Sequence, residues 1–137
     1  MPNKGQSTGM RGVYLVASEL SRLGLTASPT SRSAIGADIL VTNQECTKAF
    51  SVQVKSNATT FNFWLLNKNA STSHSKSHVY VFVNIRSRKD KESIEYYIVP
   101  SRVVAENVRV SKRSKSIWYA FDLNMAKRYK DKWSVFE

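Results

Sequence analysis

Asp38, Gln53 and Lys55 are the residues of this 137-residue chain whose types and spacing point most directly to chemistry. Each sits in or beside an apolar, strand-like run. Asp38 opens Ile39-Leu40-Val41, while Gln53 and Lys55 alternate with Val52 and Val54. Side chains two apart on a strand share a face, so Gln53 and Lys55 project together. Fourteen residues separate Asp38 from Gln53. That length fits a strand, a turn and a return strand, and so brings all three groups to one place. A carboxylate, an amide oxygen and an ammonium that converge can hold Mg²⁺ and orient a water, an arrangement for phosphodiester hydrolysis. Taken singly, Asp38 reads as a turn residue after Gly36-Ala37, and Lys55 as an edge charge that blocks aggregation. Taken together, the trio favours the site.

The spacing Asp-x14-Gln-x-Lys resembles the PD-(D/E)xK nuclease superfamily, with Gln53 where an acid is usual. The surrounding order is similar to that of the archaeal Holliday-junction resolvases and of small bacterial members. A helix-like segment ends at Leu20-Ser21-Arg22-Leu23-Gly24, a polar stretch follows, and then come Asp38-Ile39-Leu40 and Gln53-Val54-Lys55-Ser56. Val79-Tyr80-Val81-Phe82-Val83 and Tyr96-Tyr97-Ile98-Val99-Pro100-Ser101 resemble the later strands, so the likeness covers residues 9–104 in order. It implies an α/β, restriction-endonuclease-like sandwich with an N-terminal helix, a central mixed sheet and a C-terminal helix. It also implies a Mg²⁺ (or Mn²⁺) cofactor on Asp38, Gln53 and the backbone carbonyl of Val54, with Lys55 serving the attacking water. The expected partner is nucleic acid, DNA ahead of RNA, and a homodimer is a natural way to cut two strands.

Two departures matter. Gln53 offers a neutral oxygen, so a bound cation loses one full charge of attraction. Either the nuclease works with weaker metal affinity, or the site is inactive and the scaffold binds nucleic acid or serves an assembly. The resembled resolvases also carry a Glu near the start of their first helix. Aligned on Gly24, that position falls near Val13 or Tyr14, where no acid stands. Glu19 is the only acid in the helix and reads as a solvated charge.

The chain carries 21 Lys and Arg against 10 Asp and Glu, a net charge of +11 that suits a polyanionic partner. Arg32 and Ser33 precede the Asp38 strand and are placed to touch a flanking phosphate, as is Ser56 after Lys55. Lys68, Lys76, Arg86, Arg88, Lys89, Lys112, Arg113 and Lys115 fall in loops and turns, where phosphate contacts are independent of sequence and sensitive to salt. Trp64 offers a face for base stacking, though a strand tryptophan is more often core; Trp118, Tyr119 and Trp133 are read as packing. His74 and His78 have helical metal spacing but lie among serines and lysines, which makes a loop the better reading.

One cysteine, Cys46, excludes an internal disulfide and a four-cysteine zinc site. No run approaches the roughly 20 apolar residues of a membrane span, and the N-terminus lacks the apolar stretch of a signal peptide. These features predict a cytoplasmic protein with no membrane partner. The elements that must position the trio follow from patterning. Residues 1–8 read as a flexible N-terminus, and residues 9–137 as a single domain. Val13, Val16, Ala17, Leu20 and Leu23 make one helix face, stopped by Gly24. Strands are expected at residues 25–27, 38–42, 48–55, 61–65, 79–85, 93–99 and 117–121. Residues 67–78 read as a flexible loop, residues 86–92 as a charged turn, residues 101–106 as a short helix capped by Ser101, residues 109–116 as an exposed basic stretch, and residues 122–133 as a terminal helix.

Overall fold

The computed structural model describes residues 4–31, 36–59 and 61–137. Helix α1 (Lys4–Arg22) is followed by strands β1 (Thr26–Pro29), β2 (Ile39–Thr42), β3 (Ala49–Asn57) and β4 (Phe63–Leu66). Then come β5 (His78–Arg88), β6 (Lys91–Pro100), helix α2 (Ser101–Asn107), β7 (Arg109–Arg113), β8 (Ser116–Asp122) and the short helix α3 (Leu123–Ala126). One sheet has the order β1-β2-β3-β5-β6, with only β3 and β5 parallel. A second, antiparallel sheet has the order β4-β8-β7.

β5 explains the layering. Its Val79, Val81, Val83 and Ile85 join a core with Val16 and Leu20 of α1. Its Tyr80 and Phe82 join a different core with Trp64 of β4 and Phe121 of β8. Successive side chains on a strand point to opposite faces, so a strand apolar at every position must be covered on both. The five-stranded sheet is therefore clothed by α1 on one side and by the three-stranded sheet on the other. Trp64 is fully buried, and its indole N–H donates to the Val83 carbonyl at 3.1 Å.

α1 begins at Lys4 rather than near residue 9, so five residues read as loose are helical. It ends as expected at Gly24, whose φ of +84° suits glycine. The Leu25 N–H then reaches back to the Leu20 carbonyl at 3.0 Å and closes the helix end. The hairpin β2–β3 forms in the expected place.

Several other expectations are corrected. The charged turn at residues 86–92 contracts to two residues: Arg88 pairs with Lys91, and Lys89 and Asp90 take φ of 47° and 62°. Two left-handed residues match the twist of a tight hairpin. Residues 67–78 are not loose, because residues 68–71 form a 3-10 turn and Ala70 is buried. Further along, Ser75 donates its N–H to the Ser101 hydroxyl at 3.0 Å and accepts from it at 2.8 Å. Ser101 is thus a buried tie to that segment, while Pro100 takes the cap position of α2. The basic stretch from 109 becomes β7. The terminal helix is broken after Ala126, because Lys130 bridges to Tyr97 and the Asp131 N–H donates to the Tyr96 carbonyl at 2.9 Å. Trp133 packs on Tyr96 as expected. Trp118 does not pack: it is 46% exposed on the far face of β8.

Candidate active site

β2 stops at Ile39, paired with Val52, whereas β3 runs on to Asn57. From residue 53 onward β3 has no strand beside it on that edge, and the notch holds a cavity of about 290 Å³. Asp38, Gln53, Val54 and Lys55 line it from the sheet, and Met10, Val13 and Tyr14 line it from α1. The three residues singled out in the sequence therefore share one cavity.

Local bonding explains how Asp38 is held. Its N–H donates to the Val52 carbonyl at 2.8 Å, and its carbonyl accepts from the Thr30 N–H at 2.9 Å. The Thr30 hydroxyl donates to the Ala37 carbonyl at 2.6 Å. The side chain then does what a missing strand would do: Oδ2 accepts the Val54 N–H at 2.8 Å. In an extended strand the N–H and C=O of one residue point to the same side. The Val54 carbonyl thus leaves β3 on the same edge as Asp38. Thr30 has no signal in the sequence beyond a polar loop, and its contribution is legible only in three dimensions.

Lys55 is half-buried. Burial pushes its pKa below the usual 10.5, and the nearby Asp38 carboxylate opposes that shift. The ammonium is therefore desolvated beside a single acid. Among the described residues no group of three or more His, Cys, Asp or Glu could hold a metal. The available donors are the Asp38 carboxylate, the Gln53 amide and the Val54 carbonyl, an all-oxygen set of the kind hard divalent cations take. It fits Mg²⁺ or Mn²⁺, with one formal negative charge. The α1 wall contributes no acid, as the alignment on Gly24 predicts. Glu19 lies elsewhere, paired with Arg22 at 2.6 Å.

The remaining site residues scatter. Arg32 and Ser33 lie outside the described residues. The Ser56 hydroxyl is buried without a hydrogen-bond partner among the described residues, on the side facing Gly12 of α1. Arg86 pairs with Glu95 at 2.7 Å. Arg88 and Lys89 sit at the exposed β5–β6 tip, and Lys112, Arg113 and Lys115 on the exposed β7–β8 hairpin. Lys68 and Lys76 are exposed on the segment leading into β5, at the opposite end of that strand from the β5–β6 tip. His78 heads β5 and meets the Ser51 hydroxyl at 2.6 Å, with no role beside His74. Phe61 and Phe63 were read only as strand residues, yet they wall a second cavity that also touches Lys55.

No protein-family model matches the chain, and no curated protein matches it in sequence. Its structure is similar to that of Hjc, a Holliday junction resolvase from the archaeal hyperthermophile Archaeoglobus fulgidus. The likeness has a TM-score of 0.55 at 12% identity, and covers 88% of this chain and 93% of that one. The fold is the restriction-endonuclease-like α/β sandwich. Within it, the N-terminal helix, mixed sheet and C-terminal helical pieces occur in the expected order, with the terminal helix shortened. Among the described residues no helix is long and apolar enough to cross a membrane.

Proposed function

We propose that this chain is a divalent-metal-dependent nuclease that hydrolyses phosphodiester bonds in nucleic acid, with DNA as the favoured substrate. The observation that carries the reading is the notch at the end of β2, where Asp38, Gln53, Val54 and a desolvated Lys55 line one cavity. The similar resolvase acts on Holliday junctions, which makes branched DNA the leading substrate to test. Cutting both strands of such a substrate calls for two copies of the chain. A cytoplasmic location belongs to the same reading.

Asp38, Gln53 and the Val54 carbonyl would hold Mg²⁺ or Mn²⁺, which when bound supplies Lewis-acid activation of water and charge neutralisation at the phosphate. The chain's own contributions are separable. The Val54 N–H fixes the Asp38 carboxylate, so its position costs nothing at the moment of reaction. Lys55 orients the attacking water and takes its proton. A lowered pKa keeps more of the amine neutral than a solvated lysine would be, which is the state a base needs. Exposed Arg88, Lys89, Lys112, Arg113 and Lys115 hold the backbone, so affinity should fall by about 10³-fold between low and moderate salt.

A second reading has its own observation. Gln53 and the acid-free wall of Met10, Val13 and Tyr14 leave one carboxylate in the cavity. That suits a binding or assembly module which has lost catalysis. The deciding experiment is cleavage of a panel of labelled DNA and RNA structures, including junctions, flaps and duplexes, with Mg²⁺, Mn²⁺ or chelator. Metal-dependent cutting by the wild type, lost in Lys55→Ala and Asp38→Ala while salt-sensitive binding persists, supports the nuclease. Cutting that survives Asp38→Ala in a nuclease-free preparation moves the chemistry elsewhere. No cutting by the wild type, with cutting gained in Gln53→Glu, supports the module.

A further inference from the structure

The three-stranded sheet has one face in the core and one face in solvent. On the solvent face Trp118 is 46% exposed and Leu65 is 47% exposed, beside Phe63, Arg109 and Arg113. They line a shallow cavity of about 220 Å³. A second cavity of about 310 Å³ shares Phe63 and Leu65 with it, adds Phe61, and ends at Lys55. Lys55 in turn lines the notch with Asp38. Three depressions are thus neighbours linked by shared lining residues, in the order candidate catalytic groups, two phenylalanines, exposed indole.

The polar groups along these depressions are arranged around the rings. The Trp118 indole N–H donates to the Ser116 hydroxyl at 2.9 Å, which meets the need of its one polar atom without burying the ring. The Arg109 guanidinium lies over the Phe63 ring at 5.7 Å and pairs with Asp122 at 3.1 Å. Arg113 has no ion pair among the described residues and is exposed at the end of β7. Lys112 and Lys115 flank it.

We infer that this face is a stacking platform for unpaired nucleic-acid bases, on which a single strand runs from Lys55 past Phe61 and Phe63 to Trp118 and Arg113. The inference rests on the nuclease reading only for the direction of the path. Single-strand sites combine a cationic track for phosphates with aromatic faces for bases, and both are present here. A duplex keeps its bases stacked inside and would not use the rings. A second copy of the chain is the competing occupant, since protein interfaces also favour aromatic residues and arginine, and the oligomeric state is therefore part of the test. A net charge of +11 favours a polyanion as the occupant. The substrate class that follows is nucleic acid with an unpaired segment beside the scissile bond, as in a flap, a tailed duplex or an opened branch.

The test uses the full chain and fluorescence anisotropy with a single strand of about 15 nucleotides lacking self-complementarity, as DNA and as RNA, and with its DNA duplex. Trp118→Ala should weaken single-strand binding about tenfold and leave duplex binding nearly unchanged, while Trp118→Phe retains most of the single-strand affinity. Single strands should also quench tryptophan fluorescence in the wild type and quench it much less in Trp118→Phe, since Trp64 is buried and Trp133 packs on Tyr96 with the α1-side core. Circular dichroism of each variant verifies the fold. Single-strand affinity unchanged in a folded Trp118→Ala overturns the platform. So does a wild-type dimer, seen by sedimentation, that Trp118→Ala dissociates. Failure of the two readings is distinguishable. A chain that cuts nothing, yet shows Trp118-dependent single-strand binding that survives Lys55→Ala, keeps the platform and loses the nuclease. A chain that cuts duplexes, with no Trp118 dependence, does the reverse.

Discussion

The two faces of the three-stranded sheet use aromatic residues in opposite ways. Toward the five-stranded sheet, Phe121 stacks on Phe82 with ring centroids 4.9 Å apart and planes 10° apart, and Phe82 stacks in turn on Tyr80 at 5.7 Å. These rings are closed off from water, with Trp64 tilted against Phe82 at 4.9 Å. On the other face Trp118 and Leu65 stand in solvent, and the cations lie beside them. The same residue types give cohesion where a second layer covers them and a contact surface where nothing does. Aromatic content alone therefore says nothing about role; the number of covered faces decides it.

The comparison is most severely tested from its buried side. Phe82→Ala should destabilise the protein by about 3–5 kcal/mol, because it removes a ring enclosed by other rings and leaves a cavity. Urea unfolding measures this, and a loss under about 1 kcal/mol would mean that the ladder is not the cohesive element.

Lys55 lies where the two regimes meet, and its removal should split function from stability. In Lys55→Met, cleavage should fall by about 10²-fold or more. The fold should nevertheless become more stable near neutral pH, since burial penalises the ammonium. The sign follows from proton linkage. The folded pKa lies below 10.5, so from that value up to 10.5 the unfolded chain binds more protons and stability rises with pH. Lys55→Met should flatten that rise in denaturation curves taken across alkaline pH. Tyr80, Tyr96 and Tyr97, raised by burial, oppose that slope in both proteins, so a Lys55→Met curve parallel to the wild-type one over this window would show that Lys55 is not desolvated.

Gln53→Glu has a smaller expected effect: about a tenfold lower Mg²⁺ requirement for cleavage, from one added carboxylate at ligand distance. An unchanged metal titration would place residue 53 outside the metal's reach. The smallest effect is expected for Trp118→Ala, which should change unfolding free energy by no more than about 0.5 kcal/mol. A loss comparable to that of Phe82→Ala would erase the distinction between the two faces.

That Asp38, Gln53 and Lys55 line one cavity was legible in the sequence, because a hairpin's length and a strand's alternation are local properties. Asp38, Gln53 and Lys55 needed only those to be placed together. The helix stop at Gly24 was legible for the same reason. What failed depended on distant partners. β7 carries Arg109, Ser111, Lys112 and Arg113, with no alternating apolar face, and becomes a strand because β8 pairs with it. The segment at residues 67–78 looked unstructured because its anchor, Ser101, lies 26 residues from Ser75. The terminal helix breaks where Lys130 and Asp131 meet β6. Trp118 was misread because a strand tryptophan is usually covered, and sequence does not reveal how many layers a sheet has. The Ser56 hydroxyl points to α1, and by strand alternation Lys55 points away.

That contact between Ser56 and α1 sets a dimension. A Cβ added at Gly12 would fall 1.7 Å from Ser56 Oγ and 2.9 Å from its Cβ, so only a bare backbone lets the helix lie so close to β3. Met10, Val13 and Tyr14, on either side of Gly12, are the helix wall of the cavity that holds Lys55. A missing methyl group thus acts as a spacer gauge. It fixes how closely the helix lies against Val54 and Ser56, and so the width of the slot beside the strand edge where Asp38 accepts the Val54 N–H.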